Sequence, residues 1–289
     1  MTVHQKIAEQ VRRHETAYCW AVKAVHCSAV RTATGLPARR AARKHLSGGD
    51  ALIADIRAPM GMGGILSWSG RALEMAERLR APVGVRFSAP TYQPDEPVAD
   101  WLDSYFVRTR PCPRAAAVLS ASALPLARTW RIPELAPRVW EYLSIRPEMI
   151  CQARGIPFSD YAAVHFRGGD KYLEAPRVPY ELVLRRVEEQ MRQDGLYKLF
   201  VASDEPGFVA LAREHFGSDC WSLPLRAVTV DGRPPHFSDI PGQTKAEEAL
   251  TTMTLLAGSR LCVRTESLMS EWAMTLPGDR RVVLVGPNS

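Results

Sequence analysis

Three short segments in the second half of the chain place charge, hydroxyls and glycine where an apolar run ends. The first is Ala163-Val-His165-Phe-Arg167-Gly-Gly-Asp170-Lys171. An arginine beside exposed Gly-Gly backbone N–H groups suits a diphosphate, because a planar guanidinium can engage two phosphate oxygens at once. The same residues could instead close a turn through an Arg–Asp salt bridge. The second segment is Phe200-Val-Ala-Ser203-Asp204-Glu205-Pro206. Ser203 or Asp204 could cap the helix that follows, or meet the hydroxyls of a ribose or base. The third, Leu261-Cys-Val-Arg264-Thr265-Glu266-Ser267, leads a strand into a helix N-terminus bearing hydroxyls, which reads either as an anion site or as a cap.

The elements around these segments alternate. Strands are expected at Tyr161–Phe166, Leu196–Ala202, Leu261–Val263 and Arg281–Val285, with helices at Tyr180–Gln193, Pro206–Phe216, Lys245–Ala257 and Ser267–Met274. Open parallel sheets bind ligands beyond the carboxyl ends of their strands, and all three segments fall at such ends. The first half carries a similar unit. Leu52–Ile56 reads as a buried strand, Pro59–Gly64 as a glycine-rich turn, Ile65–Leu79 as a helix and Val83–Phe87 as the next strand. Residues 90–157 are rich in proline and tryptophan, with a helix expected at Glu134–Leu143. The division is therefore a basic helical N-terminal segment (1–50), a first Rossmann-like domain (51–157) and a second one (158–289).

Composition narrows the class. The 289 residues are 46% hydrophobic and 24% charged, an ordinary balance for a chain with a buried core. No apolar run is long enough for a membrane helix, and MTVHQKIAEQ lacks a signal-like apolar stretch, so a cytoplasmic location is expected. The six cysteines show no CxxC pair and read as reduced thiols. A net charge of +6 favours anionic partners, and no nucleic-acid-binding motif accompanies it. Residues 1–50 combine helical spacing from Ile7 to His26 with the basic run Arg39, Arg40, Arg43, Lys44 and His45. That run is either a solvated face or, more sharply, a peripheral membrane contact or a partner-docking arm. Gly61-Met62-Gly63-Gly64 lacks the third glycine of the dinucleotide fingerprint and is followed by no P-loop lysine. The seven tryptophans are mostly core candidates.

In order and spacing, HFRGGDK, VASDEP and TTMTLLAGSRLCVRTES resemble the three motifs of the nodulation-type fucosyltransferases and of the related α1,6- and protein O-fucosyltransferases. GMGGILSWSGRALEMAERLRAPVGV is similar to the opening turn, helix and second strand of that superfamily, and Pro235-His236 to its loop before the third motif. The resemblance covers roughly residues 51–87 and 161–276. It implies an α/β GT-B fold, two doubly wound Rossmann-like domains facing a cleft, with GDP-fucose held mainly by the second. Carried across, Arg167 would grip the β-phosphate and His165 would lie near guanine or ribose. Asp170 and Lys171 would order the loop or the sugar, Ser203, Asp204 and His236 would sit at the donor, and Thr265 and Ser267 would donate to the diphosphate.

Three positions depart from the pattern. Gly168 replaces a second arginine of the α1,6-type enzymes. Thr252 stands where an acidic residue recognises guanine, so another nucleotide base is an open alternative. Arg264 and Glu266 replace smaller or apolar residues and bring new charge to the cleft.

The implied reaction is an inverting, metal-independent transfer to a hydroxyl of a glycan, glycolipid or small molecule. Charge on the leaving diphosphate would be neutralised by fixed donors rather than by a metal or other cofactor. Glu174 is the first candidate for the base and Asp170 the second. A catalytically inactive nucleotide-binding or scaffold relative is the alternative from another class.

Overall fold

The structure of the chain, a computed structural model, describes residues 44, 51–58, 60–114, 117–121, 131–157, 159–168, 178–229, 235 and 238–287. The basic N-terminal segment, Lys44 apart, lies outside the described residues. So do four expected site residues: Asp170, Lys171, Glu174 and His236.

Two parallel sheets organise the chain. The first has three strands in the order β2-β1-β4: β1 (Leu52–Ile56), β2 (Val83–Phe87) and β4 (Ala117–Ser120). β1 is central, so both of its edges are paired, and Leu52, Ala54, Asp55 and Ile56 are buried, as in parallel sheets covered on both faces. The crossover from β1 to β2 is helix α1 (Met62–Leu79). It starts three residues earlier than the glycine-rich turn suggests, so Gly63 and Gly64 are helical. Packing explains why. A Cβ on Gly63 would stand 2.7 Å from the backbone carbon of Leu268, so glycine serves close helix approach here rather than a turn.

The second sheet has five parallel strands in the order β10-β9-β6-β7-β8: β6 (Ala162–Phe166), β7 (Leu199–Ser203), β8 (Cys220–Trp221), β9 (Leu261–Arg264) and β10 (Arg281–Leu284). Counted from β6, this is 3-2-1-4-5, the Rossmann order. The chain steps from β6 to β7 and β8 on one side, then returns to the other side of β6 with β9 and β10. The switch point therefore lies between β6 and β9.

The helices of this half are α4 (Tyr180–Asp194), α5 (Pro206–Phe216), α6 (Gly242–Gly258) and α7 (Leu268–Ala273). β7 begins at Leu199 rather than Leu196, because Leu196 is used to end α4. Gly195 takes a left-handed φ of 65°, and the Leu196 N–H donates to the Met191 carbonyl at 2.9 Å. α6 begins one turn before the expected Lys245, with Gly242 pressed against the backbone of Gln93.

Between the sheets lie two short antiparallel strands, β3 (Phe106–Arg108) and β5 (Leu143–Ile145), and the helices α2 (Leu102–Tyr105) and α3 (Ile132–Tyr142). One core runs without a break from β1, α1, Trp101 and α3 to Ala163, Phe200 and Cys262 of the second sheet, with Leu250 and Met253 of α6 between. The other face of that sheet forms a second core, in which Phe166 stacks on Phe208 at 4.5 Å under α4 and α5. The two halves are also joined by hydrogen bonds. Trp272 Nε1 donates to Ser67 Oγ at 2.9 Å and Trp140 Nε1 to Thr275 Oγ1 at 2.8 Å. Trp101 and Trp272 are fully buried, as core tryptophans should be. Among the described residues, no helix is long and apolar enough to cross a membrane.

Candidate functional site

The switch point gathers the loops that follow β6, β7 and β9. At its centre is Asp204, just past β7 and buried. Its carboxylate accepts from Arg167 Nη1 at 2.6 Å, from the Gly168 N–H at 3.2 Å and from Thr229 Oγ1 at 2.9 Å. Its carbonyl accepts the Thr229 N–H at 2.8 Å. Arg167 thus forms an ion pair, though with an aspartate 37 residues away rather than with a neighbour in its own turn. Ser203, buried beside it, accepts the Glu205 N–H at 3.0 Å through Oγ and so shapes the start of α5. The Tyr180 hydroxyl donates to Glu205, whose carboxylate occupies the space a side chain at Gly168 would need.

On the other side of β6, Thr265 binds the two strand ends together. Its N–H donates to the His165 carbonyl at 3.0 Å, and its Oγ1 accepts the Arg167 N–H at 2.9 Å. Ser267 precedes α7 and makes no side-chain capping bond to it. The helix spans six residues, so the expected anion-binding N-terminus is a short turn with a weak dipole.

His165 and Arg264 face each other in register across β6 and β9. Side chains alternate along a strand, so both lie on the face of Ala163 and Cys262, the face toward α6. His165 is 2% exposed, and its Nδ1 is buried with no hydrogen-bond partner. Burial above all holds its pKa down to about 3. Asp204 pulls the other way, while the Arg167 and Arg264 charges lower it further. The imidazole is therefore neutral near pH 7: able to offer or accept a hydrogen bond, but too weak to serve as a general base.

Residues of the first half approach this edge. Tyr92, in the turn after β2, is buried and accepts the Met62 N–H at 2.8 Å. Burial pushes its hydroxyl up to about 12, and the Arg167 charge opposes that, which sets Tyr92 and Arg167 within electrostatic reach across the joint. The start of α1 meets the start of α7 at Gly63 and Leu268. In the first sheet itself, Asp55 is the buried acid of β1. It accepts from Arg57 Nε at 2.5 Å, Ser88 Oγ at 2.6 Å and Arg86 Nη2 at 2.7 Å. Burial would raise its pKa, but the bonds from Arg86, Ser88 and Arg57 together leave it lowered.

In α6, Thr252 is buried, and Glu248 one turn earlier accepts the Arg226 and Ala227 N–H groups at 2.8 and 2.9 Å. Sequence reasoning missed both Asp55 and Glu248. An acid inside the apolar run LIADI was the available sign of the first; nothing local marks the second. Among the described residues, no group of three or more His, Cys, Asp or Glu could hold a metal ion. The structure therefore brings together His165, Arg167, Ser203, Asp204 and Thr265 of the expected residues, with Ser267 two residues farther along the same loop.

This is the fold of a class of mixed α/β proteins with parallel sheets that includes known fucosyltransferases. A NodZ alpha-1,6-fucosyltransferase soaked with GDP-fucose matches with a TM-score of 0.52 at 14% identity, over 78% of this chain and 92% of that one. Selenomethionine fucosyltransferase NodZ from Bradyrhizobium gives 0.54 at 14% identity, over 78% and 91%. POFUT1 in its apo-form gives 0.52 at 11% identity, over 82% and 98%. No protein-family model and no curated protein matches the chain. At such identities the shared property is the fold.

Proposed function

We propose that this chain is a glycosyltransferase that moves fucose from GDP-fucose to a hydroxyl of a glycan, glycolipid or small molecule, with inversion and without a metal. One observation supports this most. Three motif loops, distant in sequence, converge at the switch point of a Rossmann-ordered sheet and bring two arginines, two hydroxyls and a neutral histidine to one edge. The likeness in fold to NodZ and POFUT1 agrees with it.

In the two-lobed GT-B arrangement of this proposal, the first sheet serves the acceptor and the second the donor. Breaking the sugar–phosphate bond leaves positive charge on the sugar and negative charge on the departing diphosphate. Arg167, oriented by Asp204, and the hydroxyls of Thr265 and Ser267 would meet the negative charge. Asp204 is engaged by Arg167, Gly168 and Thr229, His165 is held neutral, and Asp55 is tied by two arginines, so none of these suits the base. That role goes to Glu174, with Asp170 as second choice, and Lys171 and His236 complete the donor side. The chain would work in the cytoplasm, with its basic N-terminal segment as a contact to the membrane surface.

The test is fucosyl transfer from GDP-fucose to an acceptor panel, read as product by mass spectrometry. Arg167→Ala should lower turnover roughly 10²–10³-fold while the purified variant keeps its circular dichroism spectrum. Wild-type turnover in that variant would refute the assignment.

A second donor is favoured by α6. Thr252 has no carboxylate to offer guanine, and Glu248 is already bound to two backbone N–H groups. Thermal-shift measurement with GDP, UDP, dTDP and CDP separates the two: stabilisation by GDP alone supports guanine, and stabilisation by another diphosphate instead supports the alternative base.

A further inference from the structure

Two guanidinium groups stand at the carboxyl edge of the second sheet, and they differ in one respect. Arg167 is neutralised by Asp204 at 2.6 Å. Arg264, the last residue of β9, makes no side-chain hydrogen bond or ion pair among the described residues, and its Nε is buried without a partner. Its neighbour in register, His165, likewise has a buried Nδ1 without a partner. A buried Nε without a partner recurs at Arg71, Arg86, Arg108 and Arg280, but each of those guanidinium groups is bonded through its other nitrogens, whereas Arg264 is bonded through none among the described residues. An unmatched buried polar atom costs about 1–3 kcal/mol, which a bound ligand would offset. Both lie on the face toward α6, and Arg264 is only partly buried where β9 ends. Its charge lowers the His165 pKa and opposes the burial-driven rise at the Cys262 thiol.

We propose that Arg264 is a donor-binding residue that takes the pyrophosphate of the nucleotide sugar, adding to Arg167 a cation that no carboxylate among the described residues neutralises. The proposal rests on the nucleoside-diphosphate reading above. Two phosphates carry more negative charge than an Arg167–Asp204 pair of no net charge can balance. A fork-shaped guanidinium with unmatched donors supplies both the charge and the hydrogen bonds. The neutral His165 beside it can pair with a ribose or phosphate oxygen without adding charge.

The experiment is calorimetric titration of the full chain with GDP, GMP and guanosine, for the wild type, Arg264→Ala and Arg264→Lys. Arg264→Met, which keeps the aliphatic stem, is the second variant in case Arg264→Ala does not fold. Removing the guanidinium should weaken GDP binding about 10- to 100-fold, weaken GMP less and leave guanosine within about twofold, with partial recovery in Arg264→Lys. Where the thermal-shift series picks another diphosphate, that nucleotide and its nucleoside replace the guanine set. Wild type that binds a nucleoside diphosphate, with Arg264→Met binding equally well, overturns this inference alone. Equal losses for nucleoside and diphosphate overturn it too, since the side chain then supports the pocket rather than the phosphates. Wild type that binds no nucleoside diphosphate overturns the proposed function and this inference together.

Discussion

The two sheets carry polar residues at the same place and treat them oppositely. Asp55 is the fourth residue of β1 and stands in register with Arg86; His165 is the fourth residue of β6 and stands in register with Arg264. In the first sheet an acid faces an arginine, and Arg57 and Ser88 complete a closed clasp. In the second a neutral imidazole faces an arginine, and a nitrogen of each is buried with no partner. Arg86 Nε is buried unbonded as well, but its Nη2 holds the Asp55 carboxylate, whereas Arg264 makes no ion pair among the described residues. One edge pairs its charge internally, and the other does not.

Breaking the clasp should cost the most. Asp55→Ala leaves Arg86 without its carboxylate, and a loss on the order of 3 kcal/mol in urea denaturation is expected. A loss under about 0.5 kcal/mol would mean that the first edge is not the structural one. The joint between the sheets comes next. Gly63→Ala forces a methyl against the backbone of Leu268 and should cost about 1–3 kcal/mol, read as a lower denaturation midpoint with an unchanged m-value.

Acid sharpens the contrast by small increments of pH. The folded pKa of His165 lies below its ordinary 6.5, so the unfolded chain takes the proton first as pH falls. Stability from this group is full above 6.5 and is lost by about 1.4 kcal/mol per pH unit below it, levelling off near 3. Asp55 is also lowered, from 3.8, but as a carboxylate it stabilises above that value and fails only as pH drops through its folded pKa. His165→Asn should therefore flatten the stability profile between pH 6.5 and 4.5, where Asp55→Ala leaves the slope unchanged. An unchanged slope in His165→Asn would show that the imidazole is not buried neutral.

Much of the second half was legible before any coordinates. β6 and β9 were displaced by no more than one residue from expectation, and α5 not at all, because apolar runs bounded by Pro, Gly and charged residues are local signals. In the first half β1 and β2 match expectation to the residue, but the short strands between them and the second sheet were not foreseen. β4, β3 and β5 are three or four residues long, too short for an alternation to register. Gly63 and Gly242 look like turn residues in sequence, yet each lies in a helix where another backbone passes close.

Alone, the sequence settled which residues could do chemistry and that they end strands, since strand periodicity and residue type are encoded within a few neighbours. Tertiary structure alone decided their charge states and partners. Arg167 meets Asp204 across 37 residues, Asp55 meets Arg86 across 31, and Arg264 meets no acid among the described residues. Electrostatic pairing depends on distance through space and on exclusion of water, and both are fixed only when the sheets close over their common core.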